Sequence, residues 1–142
     1  MPSNVVVPDA SVLLKWVLPS VAEPDAERAL QLREAIADES VRAIVPALWF
    51  YEVGNTVGRL FSAHADAWLS AMIKFGLEEM PPTPAWTRRT LELMRRHDVS
   101  FYDAAYHALA LTHDGLFVTA DLRYVERAGA SGSVIALGDW RP

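Results

Sequence analysis

The 142-residue chain contains no cysteine, which excludes a disulfide framework and a thiolate metal site. Any catalytic nucleophile must therefore be an oxygen group or a bound water. No apolar stretch approaches the roughly 18 residues that a membrane span requires. The first residues, Met-Pro-Ser-Asn, carry no basic leader before a short apolar run. We therefore expect a protein of a reducing cytoplasm with no membrane segment.

The chain also lacks an excess of positive charge, since its formal net charge is −5. This argues against a protein that coats nucleic acid through a broad basic surface. It does not exclude an enzyme whose acids are concentrated at one spot with lysines and arginines at the rim. Hydrophobic residues make up 51% of the chain, and repeats and flexible linkers are absent from the sequence. We expect one domain over residues 1–142.

Short β-branched runs alternate with longer segments of helical periodicity. The runs predict strands at residues 4–8, 42–45, 77–80, 116–118 and 134–137. Helices are predicted at residues 10–18, 23–38, 47–61, 64–75, 85–96, 100–113 and 122–128. Alternation of this kind is typical of right-handed β-α-β units. The pattern therefore predicts an α/β fold with a mainly parallel sheet covered on both faces.

Two aspartates come just after predicted strands, Asp9 after the first and Asp121 after the fourth. In an open parallel sheet, ligands bind beyond the carboxyl ends of the strands, so this shared position favours a functional role. Both residues also suit the N-cap of the helix that follows them. The sequence alone leaves both interpretations open.

Two further acids stand at the start of, or inside, predicted helices. Asp103 lies three residues after Ser100, a spacing typical of a capping box, with the acid favoured by the helix dipole. Glu52 interrupts an apolar helix, and Asn55 and Arg59 continue on its face. That face is either a functional stripe or the solvated side of an amphipathic helix.

Four carboxylates gathered without a cation would force some of them to take up protons. Mg²⁺ or Mn²⁺ would remove that cost, because these ions prefer carboxylate oxygen and water. They also activate water and stabilise charge in phosphodiester displacement. A gathered quartet would therefore need neither a covalent nucleophile nor a histidine base.

Four motifs, taken in order, resemble the PIN-domain family, and most closely the VapC toxins of bacterial and archaeal toxin-antitoxin pairs. They are Pro8-Asp9-Ala10-Ser11, Tyr51-Glu52-Val53-Gly54-Asn55, Tyr102-Asp103-Ala104-Ala105-Tyr106 followed by His107-Ala108-Leu109-Ala110, and Thr119-Ala120-Asp121. The resemblance covers essentially the whole chain. Each motif is weakly specific alone, and the four together are fairly specific.

The resemblance implies a PIN-like α/β/α sandwich and a Mg²⁺- or Mn²⁺-dependent endoribonuclease that acts through a metal-activated water. It further implies a homodimer and a cognate antitoxin that blocks the active site. By motif position, the catalytic and metal-binding acids are Asp9, Glu52, Asp103 and Asp121. Ser11 and Thr119 would supply hydroxyls beside the metal, and Asn55 would hydrogen-bond near Glu52.

Basic residues near the acids are candidates for contact with RNA phosphate. Lys15, Arg59 and Arg123 lie within a turn or two of acidic positions. Solvated surface charge is the more common explanation for any one of them. The four histidines lack zinc-protease spacing and are expected to be structural or exposed.

Aromatic residues are dense between Trp49 and Trp68. Tryptophan and tyrosine are enriched at interfaces, because they bury large areas with little loss of entropy. We therefore expect part of this segment to pack against a second subunit or an antitoxin helix.

Several alternatives remain open on the sequence. A signalling receiver domain also gathers acids around Mg²⁺, but it requires adjacent acids after its first strand, and here Asp9 is unaccompanied. A catalytically silent module of the same fold could bind RNA or a partner. A non-toxin nuclease of RNA maturation and a structure-specific DNA nuclease are further possibilities.

Overall fold

The computed structural model of the protein describes residues 4–19 and 23–142. The residues used above against a leader peptide, 1–3, lie outside this range. A five-stranded sheet runs through the molecule with the spatial order β3-β2-β1-β4-β5, and all four strand pairs are parallel. The strands are β1 Val5–Pro8, β2 Arg42–Pro46, β3 Glu78–Met80, β4 Leu116–Thr119 and β5 Val134–Ala136.

Within the described residues, seven α-helices connect and flank these strands. They are α1 Ala10–Leu13, α2 Ala26–Ala37, α3 Leu48–Leu60, α4 Ser62–Phe75, α5 Pro84–His97, α6 Phe101–Thr112 and α7 Leu122–Ala128. Short 3-10 turns follow at Leu14–Trp16, Gly129–Ser131 and Leu137–Asp139. The α/β class and the parallel sheet predicted from the sequence are confirmed.

The central strands are buried on both faces. In β2 the four residues after Arg42 are consecutively buried, and in β4 so are the three residues after Leu116. Successive side chains of a strand point to opposite faces, so consecutive burial requires cover on both sides. Val7, Ile44 and Val118 are fully buried in the core that results.

The strand order places a topological switch between β1 and β4. From β1 the chain builds the sheet outward through β2 and β3 on one side, and β4 and β5 occupy the other. Pro8 pairs with Val118, so the carboxyl ends of β1 and β4 lie side by side. A crevice at such a switch is where ligands bind in open α/β sheets.

This order also differs from the 2-1-3-4-5 order of receiver-type domains. The topology therefore excludes a receiver domain, which the unaccompanied Asp9 already disfavoured.

The first two predicted helices are shorter in the structure than in the sequence analysis. Residues 10–18 form an α-helix only to Leu13 and then a 3-10 turn to Trp16. The helix predicted from residue 23 begins at Ala26, because Asp25 before it adopts a left-handed backbone with φ of 58°. Within residues 4–19 and 23–142, no helix combines the length and apolar character needed to cross a bilayer.

Candidate active site

Asp9 and Asp121 occupy the switch between β1 and β4, and both also cap helices. Asp9 precedes α1, and its Oδ1 accepts a 3.3 Å hydrogen bond from the Val12 amide. Asp121 precedes α7, and its Oδ1 accepts from the amides of Arg123 at 3.1 Å and Tyr124 at 3.3 Å. The capping interpretation is thus confirmed, and each aspartate still stands at a strand end.

Two hydroxyls tie the ends of β1 and β4 together around Asp9. Ser11 Oγ donates to Asp9 Oδ1, and Thr119 Oγ1 donates to Asp9 Oδ2 at 2.6 Å. The same hydroxyls accept backbone amides at 3.0 Å, Ser11 from Ala120 and Thr119 from Asp121. These hydrogen bonds hold both carboxylate oxygens of Asp9 and the backbone amide of Asp121 in place.

Asp9 is only 7% exposed, and burial raises its pKa to about 6. The hydrogen bonds from Ser11 and Thr119 oppose this rise, and the negative charge of Asp103 adds to it. Burial in low dielectric disfavours a carboxylate unless charge or hydrogen bonding compensates. Asp9 is therefore held in the site at an electrostatic cost.

Asp103 is the acid whose charge interacts with each of the other three. It is half-buried in the first turn of α6, where Ser100 Oγ accepts its amide at 3.1 Å. Burial and then the charge of Asp121 raise its pKa. The charge of Asp103 in turn acts on Asp9 and Glu52. The four acids are distant in the chain, but each of the other three lies near enough to Asp103 for their charges to interact.

Glu52 reaches this group from α3. Its helix is anchored by Trp49, Val53 and Val57, which are buried in the core. The carboxylate is half-buried, and its Oε1 accepts a 2.6 Å hydrogen bond from the Tyr106 hydroxyl. Burial raises the pKa of Glu52, the Tyr106 bond opposes that rise, and the charge of Asp103 adds to it.

The acid group suits a hard divalent cation in its chemistry. Its polar atoms are carboxylate and hydroxyl oxygens, and burial, with a smaller contribution from the charge of a neighbouring acid, raises the pKa of Asp9, Glu52 and Asp103. Among residues 4–19 and 23–142, however, no three acidic or histidine side chains already converge closely enough to form a ready-made metal site.

The other predicted site residues differ in placement. Arg123 is exposed beside Asp121, and Arg59 is exposed near the end of α3. Lys15 is only 8% exposed and pairs with Glu23 at 3.0 Å. Asn55 is exposed, and within the described residues its side chain makes no hydrogen bond to Glu52.

Tyr106 is the site residue that sequence reasoning missed. Tyr106 belongs to the third of the four motifs. A tyrosine among alanines in an apolar helix is typical of the core, so the motif indicated no role for it in the site. Its spacing of three residues after Asp103, which places both on one face of α6, was the available signal.

The histidines lie outside the acid group. His107 is fully buried and hydrogen-bonds to the Tyr124 hydroxyl through Nδ1 and to the Gly132 carbonyl through Nε2, both at 2.7 Å. Burial lowers its pKa. His64 is exposed and stacks on Trp68 with ring centroids 5.0 Å apart. These placements fit the expected structural or exposed roles.

A comparison of the sequence with models of protein families identifies the family of this chain. The PIN domain model matches residues 6–130. The chain belongs to the PIN domain family. The resemblance seen in the four motifs is therefore confirmed, together with the single PIN domain fold built on a parallel sheet. No curated protein sequence matches the chain.

Solved structures with this PIN fold include toxin-antitoxin proteins. A toxin-antitoxin complex from Klebsiella pneumoniae matches with a TM-score of 0.66 and 13% identity, covering 93% of this chain and 97% of that one. A VapC toxin of Mycobacterium tuberculosis, described as cleaving the sarcin-ricin loop, matches with a TM-score of 0.66 and 16% identity, covering 96% and 99%. A protein from Pyrobaculum aerophilum matches with a TM-score of 0.63 and 18% identity, covering 97% and 92%. At these identities the likeness establishes the fold alone.

Proposed function

We propose that this PIN domain protein is a metal-dependent endoribonuclease that hydrolyses RNA phosphodiester bonds. The observation that carries the proposal is that Asp9 and Asp121 stand at the paired ends of β1 and β4, joined through Thr119, while Glu52 is held by Tyr106 one turn after Asp103. Such a group is costly without a cation and is suited to one.

Mg²⁺ or Mn²⁺ would be held by Asp9, Glu52, Asp103 and Asp121. When bound, the ion supplies a nucleophilic water at neutral pH and stabilises negative charge on the phosphodiester. Ser11 and Thr119 orient Asp9 by donating to its two oxygens. Their hydroxyls keep the carboxylate from turning away from the crevice.

Contacts to RNA phosphate are assigned to cations at the rim. Arg59 and Arg123 are exposed, so their guanidinium groups are available to a phosphate backbone. Lys15 was predicted for the same role, and its ion pair with Glu23 would have to be exchanged for a phosphate contact. Asn55 keeps its proposed supporting role near Glu52.

We further propose that the chain is the toxin of a type II toxin-antitoxin pair, acts in the cytoplasm, and folds as one domain over residues 1–142. The names of two solved PIN structures, a toxin-antitoxin complex and a VapC toxin, support this biological role. The proposed partners are a second subunit of a homodimer and an antitoxin, and part of the segment from Trp49 to Trp68 would pack against one or the other. Tyr51, 74% exposed, and Leu60, 70% exposed, offer apolar contact area there.

The test combines purified protein with total RNA in Mg²⁺ or Mn²⁺, with and without EDTA. We expect cleavage by the wild type that is lost with EDTA and with Asp9→Asn. Asp66→Asn is the matched control, because Asp66 is an exposed acid on α4. Cleavage that survives both chelation and Asp9→Asn would overturn the proposal.

A catalytically silent RNA- or partner-binding module is the second candidate. It is favoured by the lack of three converged ligand side chains within the described residues. Metal-independent RNA binding without cleavage would favour this module. Cutting of a single precursor RNA, without growth arrest on expression, would instead favour an RNA-maturation nuclease.

A further inference from the structure

The Tyr106 hydroxyl reaches the acid site from α6. It donates a hydrogen bond to Glu52 Oε1 at 2.6 Å, across 54 positions of sequence. An ionised carboxylate can only accept, so the phenol proton is directed at Glu52. The hydroxyl thereby links α6 to α3.

The ring that carries this hydroxyl is fixed by the core. Tyr106 is 1% exposed, and its ring stacks on Phe117 of β4 with centroids 6.1 Å apart and planes inclined by 11°. Its backbone lies one turn after Asp103 on α6. The hydroxyl is thus a rigid anchor whose position is set by the same elements that present Asp9 and Asp103.

Glu52 needs such an anchor, because a glutamate side chain has several rotatable bonds and α3 fixes only its backbone. Asn55, the neighbour expected to hydrogen-bond near Glu52, makes no bond to it in the structure. The hydrogen bond from Tyr106 holds Oε1 in place, and it thereby restricts the positions that the other carboxylate oxygen, Oε2, can take.

We propose that Tyr106 is a positioning residue that holds Glu52 in the orientation required to bind the divalent cation. The inference rests on the proposed function, since it assumes that Glu52 is a ligand. Residues that orient metal ligands by hydrogen bonding typically account for about 10- to 100-fold in metal affinity or activity.

The chain offers a matched control for the deletion of this hydroxyl. The Tyr124 ring also packs against Phe117, with centroids 5.4 Å apart, and its buried hydroxyl bonds to His107 instead of to an acid. Tyr106→Phe and Tyr124→Phe therefore each remove one buried hydroxyl from the same aromatic cluster. Only the first removes a contact to the acid site.

The experiment measures Mn²⁺ binding by electron paramagnetic resonance together with steady-state cleavage of the shortest RNA fragment that the wild type cuts. We expect Tyr106→Phe to weaken Mn²⁺ binding and lower kcat by about 10- to 100-fold, with KM for RNA unchanged. Tyr124→Phe should match the wild type in both readouts. Unfolding midpoints are recorded, and all binding is measured well below them.

A double-mutant cycle separates positioning from general support of the fold. If Tyr106 acts through Glu52, Tyr106→Phe should cause no further loss of Mn²⁺ affinity in a Glu52→Gln background. Equal losses in both backgrounds would overturn the inference. So would a Tyr106→Phe variant indistinguishable from the wild type.

The outcomes also separate this inference from the proposed function. A wild type that binds Mn²⁺ but cuts no RNA, with binding weakened by Tyr106→Phe, would support the positioning role and refute the nuclease. Cleavage with equal affinity in Tyr106→Phe would refute the positioning role alone. A wild type that binds no Mn²⁺ would refute both.

Discussion

Thr119 Oγ1 donates a 2.6 Å hydrogen bond to Asp9 Oδ2, across 110 positions of sequence. The same oxygen accepts the Asp121 amide at 3.0 Å. One buried hydroxyl at the end of β4 therefore orients one acid by its side chain and another by its backbone. It joins the two strand ends at which the acids enter the site.

Removal of this hydroxyl should shift the pH dependence of cleavage. The Thr119 bond lowers the pKa of Asp9, so Thr119→Val should raise that pKa above its value of about 6. A protonated Asp9 cannot bind a cation, and the acid limb of the kcat/KM profile should move to higher pH. The loss of kcat/KM caused by Thr119→Val should consequently be greater at pH 6 than at pH 8.

Thr90→Val is the control for Thr119→Val. Thr90 is also buried, and its hydroxyl bonds at 2.8 Å to the Trp86 carbonyl within α5. We expect the acid limb of the kcat/KM profile of Thr90→Val to coincide with that of the wild type. An unshifted profile for Thr119→Val would contradict the role of Thr119.

The metal-free protein should gain stability as the pH falls from about 7 toward 4 through the titration of its site acids. The pKa of Asp9 is raised from 3.8 to about 6, and those of Glu52 and Asp103 are also raised. The folded state therefore binds their protons more tightly than the unfolded state does, and its stability rises on protonation. The shift of Asp9 alone corresponds to at most about 3 kcal/mol.

Urea unfolding with EDTA at pH 5 and pH 7.5 measures this effect. Added Mg²⁺ should raise the unfolding midpoint more at pH 7.5 than at pH 5, because ligands must be deprotonated to bind. A metal-free stability lower at pH 5, together with a Mg²⁺ effect independent of pH, would contradict the acid cluster.

The positions of the acids could be predicted because the signals for them are local. Short β-branched runs mark the strands, and residues after parallel strands meet at one edge of the sheet. Asp9 and Asp121 follow from that rule alone. Their capping bonds also follow from residue type, so the structural and functional interpretations describe the same side chains.

The partners of individual side chains could not be predicted in this way. Tyr106 meets Glu52 across 54 positions, and local sequence carries no signal for such a contact. Lys15 was expected near phosphate because it lies within two turns of Asp9. The chain instead leaves the α-helix at Leu13 and continues as a 3-10 turn, and the lysine pairs with Glu23.

The Lys15–Glu23 pair should contribute more to stability than the other ion pair between side chains in the described residues. Lys15 is 8% exposed and Glu23 is 25% exposed, so Glu23→Gln leaves a largely buried ammonium without its counter-charge. We expect a loss of about 2 kcal/mol in the free energy of unfolding. Denaturant titration of the purified variant measures it.

Glu78→Gln provides the comparison, because Arg42 and Glu78 are 54% and 47% exposed. Exposed pairs of this kind contribute about 0 to 1 kcal/mol. Equal losses for Glu23→Gln and Glu78→Gln would contradict the burial argument.

Gly115 should tolerate no side chain, because the start of β4 passes close to β1. A Cβ at this position would lie 2.9 Å from Val5 Cγ1 and 3.0 Å from the Val5 carbonyl oxygen. Gly115→Ala should therefore lower the free energy of unfolding by about 1 to 3 kcal/mol, because one strand must shift. In α3, a Cβ at Gly58 would meet no atom within 4 Å. Gly58→Ala should therefore raise the free energy of unfolding by about 0.5 to 1 kcal/mol. Chemical unfolding of both variants gives the sign of each change, and a neutral Gly115→Ala would refute the close approach of the two strands that hold Asp9 and Asp121 together.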